Sequence, residues 1–113
     1  MRRSLVAAAL LAVHAASPAA EDFAREIAPG QFDEHCLKID SGEALRWRFD
    51  SSGKVDFNIH HHRGSEVFYP VRRDRVRRAS GSFRSRSSED YCLMWTNSGA
   101  EAVSVRGSVV RYR

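Results

Sequence analysis

Three groups of residues in this 113-residue chain have the types and spacing to do chemistry: the run His60-His61-His62, the cysteines Cys36 and Cys92, and an arginine-rich stretch from Arg72 to Arg86. On an extended strand His60 and His62 project the same way with side chains about 7 Å apart, so both imidazoles could reach one ion at about 2.0–2.1 Å. Such an ion, Zn²⁺ or copper, needs a third donor. Glu66 just past the next turn is the first candidate; Asp56 or Asn58 on the same face, or His35 from an adjacent strand, would also serve. The plainer reading is a solvated polar strand end, since the chain lacks the Cys/His spacing of a structural zinc motif. Met94 and the two thiols would suit Cu(I), but only with the thiols unbridged.

Those thiols must be read together with the first twenty residues. Arg2 and Arg3 precede an apolar run from Leu5 to Val13 that is too short to span a hydrocarbon core of about 30 Å, and Ser17-Pro18-Ala19-Ala20 offers the small residues of a cleavage site. The pattern is that of a bacterial signal peptide, residues 1–20, cut after Ala20, with Ala16 and Ala19 as alternatives. It predicts a periplasmic or secreted mature chain of about 93 residues from Glu21 to Arg113, enough for one domain with a modest core. In an oxidising compartment an even pair of cysteines reads as one disulfide, and closing so long a loop is worth about 4 kcal/mol in the chain-entropy model. A metal-binding or redox pair of thiols is the alternative, though no Cys-x-x-Cys spacing supports it.

Removing Arg2 and Arg3 from the 18 basic residues leaves 16 against 14 acidic ones, about +2 for the mature chain, so bulk nucleic-acid binding is a poor default. Positive charge is nevertheless concentrated locally. Arg72, Arg73, Arg75, Arg77, Arg78, Arg84 and Arg86 are interrupted by a single acid, Asp74. Guanidinium groups pair bidentately with phosphate or carboxylate, so the first five form a candidate site for an anionic lipid headgroup, an acidic glycan or an acidic envelope protein. Charged edge strands also have a plainer use, the deterrence of edge-to-edge aggregation. Catalysis is not expected. No Ser or Cys nucleophile occupies a recognisable elbow or triad, and Asp56 and Glu66 are too isolated to act as a carboxylate pair.

The elements that must position these groups are short alternating strands. Residues 21–33 read as a lead-in, with Glu21 to Ile27 forming one amphipathic helical turn before Pro29-Gly30, and the domain proper spans 34–113. Leu37 and Ile39, then Leu45, Trp47 and Phe49, then Val55, Phe57, Ile59 and His61 alternate with polar residues, separated by turns at Asp40-Ser41-Gly42 and Ser51-Ser52-Gly53. Further strands carry Val67, Tyr69 and Val71, where Pro70 marks an edge; the region 76–83; Tyr91, Leu93 and Trp95; and Val103 to Tyr112 with a bulge at Gly107. The period predicts an all-β, two-sheet antiparallel sandwich of about seven strands, with Trp47, Phe49, Phe57, Phe83 and Trp95 dominating the core.

The segments Leu45-Arg46-Trp47-Arg48-Phe49, Val55-Asp56-Phe57-Asn58-Ile59, Gly81-Ser82-Phe83 and Tyr91-Cys92-Leu93-Met94-Trp95-Thr96-Asn97 occur in an order that resembles the GOLD (Golgi dynamics) domain, over roughly Glu34 to Tyr112. The resemblance implies a freestanding exported β-sandwich that recognises protein or membrane and carries no catalytic residues. It also implies pairing of Cys36 with Cys92, the latter displaced by two residues from the family's position yet on the same sheet face. The family's cargo receptors have a transmembrane helix and a coiled coil after this region; none follows Tyr112 here, so their sorting role is not carried over.

Overall fold

The computed structural model of the protein describes residues 4–11 and 20–113. Arg2, Arg3 and Ser17 to Ala19 of the expected export signal lie outside the described residues, while Leu5, Val6, Leu10 and Leu11 are nearly fully exposed. Among the described residues there are six strands: β1 (Glu21–Ile27), β2 (Phe32–Ile39), β3 (Ala44–Arg63), β4 (Glu66–Arg84), β5 (Glu89–Thr96) and β6 (Val103–Tyr112). No helix among them is long and apolar enough to cross a membrane.

All six strands belong to one antiparallel sheet in the order β1-β6-β3-β5-β2, with β4 on the other side of β3. This differs from the expected seven strands in two sheets. The Ser51-Ser52-Gly53 turn is absent; the chain runs straight through it as β3, with register irregularities against β4 between Asp50 and Val55 and between Val55 and Phe57. The two strands expected between Val67 and Phe83 likewise merge into β4. In exchange Glu21–Ile27, expected as a helical turn outside the domain, is a strand paired with β6 throughout.

One long strand therefore serves two ribbons. Residues 44–51 of β3 pair with β6, which carries β1, and residues 56–60 pair with β5, which carries β2. The sheet curls so that the inner faces of these halves meet. Trp95 of β5 lies 4.7 Å from Phe23 of β1 and 5.8 Å from Phe49 of β3, ring centre to ring centre, and Phe57 lies 4.9 Å from Trp47. Such aromatic pairs add about 0.5–1.5 kcal/mol each beyond the area they bury. Trp47, Phe49, Phe57 and Trp95 are buried as their period requires, and Phe83 packs against them half-buried.

Between β6 and its neighbour β3, side-chain volume is the constraint. A Cβ on Gly107 would fall 2.1 Å from the carbonyl oxygen of Arg48 and 2.8 Å from Phe49 Cα. Gly107 is in regular register with Phe49 on one side and Phe23 on the other, so it permits close approach rather than making the expected bulge. Asn97, fully buried after β5, joins the turns at that end of the sheet. Its amide donates to the carbonyls of Ile27 and Glu101 and accepts from Gly99 N–H.

Candidate functional site

Strand register assembles the chemistry-bearing residues on the outer face of the β2–β5–β3 half. Phe32, Thr96 and Asp56 form one row; Glu34, Met94, Asn58 and Arg72 the next; Cys36, Cys92 and His60 the third. Cys36 and Cys92 are directly opposite each other, with Cα atoms 4.0 Å apart, and are joined in a disulfide. The bridge ties β2 to β5 at the centre of this face. Glu34 stands beside it, its carboxylate 3.6 Å from Cys36 Sγ.

His60 is the most enclosed polar group of the face, 4% exposed although it points away from the core. Its Nδ1 bonds Asn58 Oδ1 at 2.7 Å, its Nε2 is 3.8 Å from Glu34 Oε1, and the rings of His62 and Tyr69 lie over it at 5.2 and 5.9 Å. Burial lowers its pKa below the usual histidine value; Glu34 opposes this, and His62 and His61 add to it. His61 points inward, as alternation requires, stacked on Phe68 and edge-on to Tyr91. Nearby Glu89 is held below the usual carboxylate range by hydrogen bonds from Arg63.

The expected third donors do not join His60 and His62, whose rings lie 5.2 Å apart. His62 is exposed, Glu66 sits opposite Arg63 at the hairpin end, Asp56 is engaged by the Arg75 N–H and the Ser98 hydroxyl, and Asn58 is bonded to His60 itself. His35 faces the core side, 5.4 Å from the Phe23 ring. Among the described residues the one group of three ligand-type side chains with atoms within 4.8 Å of one another is Glu34, Cys36 and Cys92, and both sulfurs are consumed by the disulfide. Glu34 is the carboxylate that geometry brings to His60, and only the pairing of β2 with β5, a tertiary fact, could have selected it over Glu66.

Strict alternation puts Tyr69 on one face of its strand with Val67 and Val71. Val71 is buried opposite Ile59, but between the pairs Ile59–Val71 and His61–Phe68 one residue of β3, His60, faces two of β4, Tyr69 and Pro70. The extra residue, at Tyr69-Pro70, reverses alternation beyond it, because a slip of one exchanges the faces of a strand. Phe68, 38% exposed, stacks on the inward-facing His61, while Tyr69, 46% exposed, lies over His60 on the other face. Arg72 then stacks on Tyr69, its guanidinium carbon 4.5 Å from the ring centre.

The arginine stretch lies on β4, which is hydrogen-bonded to β3 alone, as Pro70 suggested. Arg72, Arg73, Arg75, Arg77 and Arg78 are all exposed. They do not form one flat strip: Arg72 is opposite Asn58, Arg73 opposite Phe57 and Arg78 opposite Asp50, whose carboxylate it approaches at 3.8 Å with both groups well exposed. Between them a second extra residue places Arg75 at φ 54°, with its N–H donating to Asp56. The result is a positively charged edge with Tyr69 at one end, rather than a single face.

No family model matches the sequence, and a search of curated proteins returns no match. Solved structures share the fold. The chain is similar to PliG of Aeromonas hydrophila, a periplasmic lysozyme inhibitor of g-type lysozyme, with a TM-score of 0.66 and 14% identity over 88% of this chain and 93% of that one. It is also similar to the Yersinia pseudotuberculosis-derived mitogen, with a TM-score of 0.60 and 13% identity over 83% of this chain and 86% of the other.

Proposed function

We propose that the protein is an exported, non-catalytic recognition module that binds an acidic envelope protein through β4 and the face beside it. The observation that carries this reading is the exposed sequence of Tyr69, Arg72, Arg73, Arg75, Arg77 and Arg78 along a strand paired on one side only. Aromatic residues, Met and Arg are what protein interfaces concentrate, and Tyr69, Arg72, Met94 and the 60% exposed Phe32 belong to this surface. The left-handed backbone of Arg75 supports a functional reading as well, because a non-glycine residue there costs about 1–2 kcal/mol that glycine would avoid. Export is supported by the apolar leader, the disulfide and a fold shared with a periplasmic inhibitor. Kinship with the GOLD family, suggested by motif order, belongs to the same proposal and likewise favours a partner over a substrate.

The test uses the mature chain with a photo-cross-linker at Tyr69, offered to envelope proteins and to anionic vesicles. The panel includes g-type lysozyme, because the similar periplasmic protein inhibits it. Binding to the captured protein should weaken as salt screens the edge over a Debye length of about 8 Å, and changing Arg72, Arg73, Arg77 and Arg78 together to Gln should weaken it about tenfold or more. Stability should change little, since exposed charges contribute little to it. Salt-insensitive binding that survives in the quadruple variant would remove β4 as the contact, and binding to vesicles alone would replace the protein with a lipid surface.

A further inference from the structure

The outer face of the other half of the sheet carries a second constellation, separate from the β4 residues just described. Arg46 and Arg48 leave β3 on the same side. Ser82 and Val110 are opposite the first, and Ser80 and Ser108 opposite the second. Because three of these neighbours are serines and Gly81 lies between two of them, the flanks are low beside long arginine side chains. They enclose a trough of about 380 Å³. That volume falls within the range of roughly 300–1,000 Å³ typical of small-molecule sites.

Both guanidinium groups are oriented. Arg46 lies over the Tyr112 ring at 5.1 Å and Arg48 Nε is 3.3 Å from Ser108 Oγ. Among the described residues neither forms an ion pair. Of the acids of this face, Asp22 lies in the row of Arg48, one strand beyond Ser108, and Asp50 lies in the next row, flanked by Arg78 and Arg106. At the other end Arg84, opposite Ala44, donates to the Gly42 carbonyl at 2.6 Å. The trough is thus a largely apolar recess, with Trp47 and Val110 in its lining and the two guanidinium groups and three serine hydroxyls as its polar groups.

We propose that it binds an acidic sugar: a pyranose ring bearing a carboxylate, free or as a unit of a glycan. A guanidinium fork matches a carboxylate bidentately, and two arginines whose strand positions are about 7 Å apart can hold a carboxylate and an adjacent anionic unit. The serine hydroxyls both donate and accept, so they can pair with the hydroxyls of a sugar in both directions, whereas a bare anion would use only their donor capacity. Val110 offers an apolar contact for the ring's C–H face. This inference goes beyond the protein-binding edge and does not depend on it.

The mature protein, uniformly ¹⁵N-labelled, would be titrated with galacturonate, trigalacturonate, neutral galactose and inorganic phosphate, with affinities measured by calorimetry. The expected result is saturable amide shifts at residues 46–48, 80–82 and 108–110 with galacturonate or trigalacturonate. Tighter binding of the trimer identifies a glycan as the source, and equal binding a free sugar acid. Galactose and phosphate should each bind about tenfold more weakly or worse. The Arg46→Gln, Arg48→Gln double variant should lose at least as much. Plugging the trough with Ser82→Phe should abolish binding while both charges remain, and the quadruple β4 variant should bind as the wild type does. Absence of shifts in the trough, phosphate binding as tightly as galacturonate, or undiminished affinity in the double variant would overturn the assignment.

Discussion

At the scale of single residues, His60 is a polar group on the outside of a sheet that its neighbours have nevertheless taken out of water. The consequence is a defined pH dependence. Burial holds the folded-state pKa below the ordinary histidine value near 6.5, so the cation is disfavoured in the folded protein, with Glu34 compensating in part and His62 and His61 adding to the depression. Above that value both states carry a neutral His60 and its contribution to stability is complete. As pH falls through it, the unfolded chain takes up a proton that the folded chain resists, and stability is lost until the lower folded pKa is passed. The urea midpoint of the wild type should therefore fall between pH 7 and pH 5, and His60→Gln, whose amide can still bond Asn58, should flatten the fall. Identical pH profiles for the two proteins would mean that His60 is hydrated in solution. Glu89, with its pKa lowered chiefly by Arg63, acts in the separate carboxylate range at lower pH and does not confound the comparison.

At the scale of elements, alternation and length compete with turn chemistry, and the residues show which prevailed. Ser51-Ser52-Gly53 has turn composition, yet β3 passes through it because both halves of the strand have partners on the same side, β6 and then β5. That pairing is non-local and cannot be read from the segment itself. In β1, Phe23 and Ile27 are four apart, a spacing that fits one helical face and, being even, also fits one strand face. Pairing with β6 selects the strand. The strand cores around Trp47, Phe57 and Trp95 were legible because strict period 2 has one meaning, and the edge position of β4 was legible from Pro70. The outward turn of Tyr69 and the choice of Glu34 beside His60 were not, since one depends on an extra residue in β4 and the other on strand order.

Glycine separates these cases experimentally. Gly64 in the β3–β4 hairpin has φ 58° and open space where a Cβ would go, so Ala there meets conformational strain alone and should cost about 1 kcal/mol. Gly107 has no such φ, but its Cβ would overlap the β3 backbone at Arg48 and Phe49, which cannot move without parting β3 from β6. Gly107→Ala should cost about 3 kcal/mol or more, at the upper end of overpacking changes. Urea denaturation of both variants checks the order; a Gly107→Ala protein as stable as Gly64→Ala would show that the two strands are not held so closely.

At the scale of the whole molecule, the 93 residues from Glu21 to Arg113 are few for a single core, and their sheet is held as two ribbons hung from one long hairpin. The Cys36–Cys92 bridge bears on that arrangement because it closes a loop of 56 residues in sequence separation, and β3 and β4 lie entirely within it. The bridge thus limits the freedom of the hairpin in the unfolded chain while adding a covalent link between β2 and β5 in the folded one. A closed loop of this length is worth about 4 kcal/mol in the chain-entropy model, a large share of the 5–15 kcal/mol that stabilises a typical domain. Replacing both cysteines by Ala, or reducing the wild type with excess dithiol, should lower the denaturation midpoint by an amount equivalent to about 4 kcal/mol. Fluorescence of Trp47 and Trp95, both buried, provides the readout. The denaturant slope should rise modestly in the Ala variant, because an unbridged unfolded chain exposes more surface. A midpoint unchanged by either treatment would show that strand pairing alone sets the stability, leaving the disulfide to orient Glu34 and His60 on the outer face.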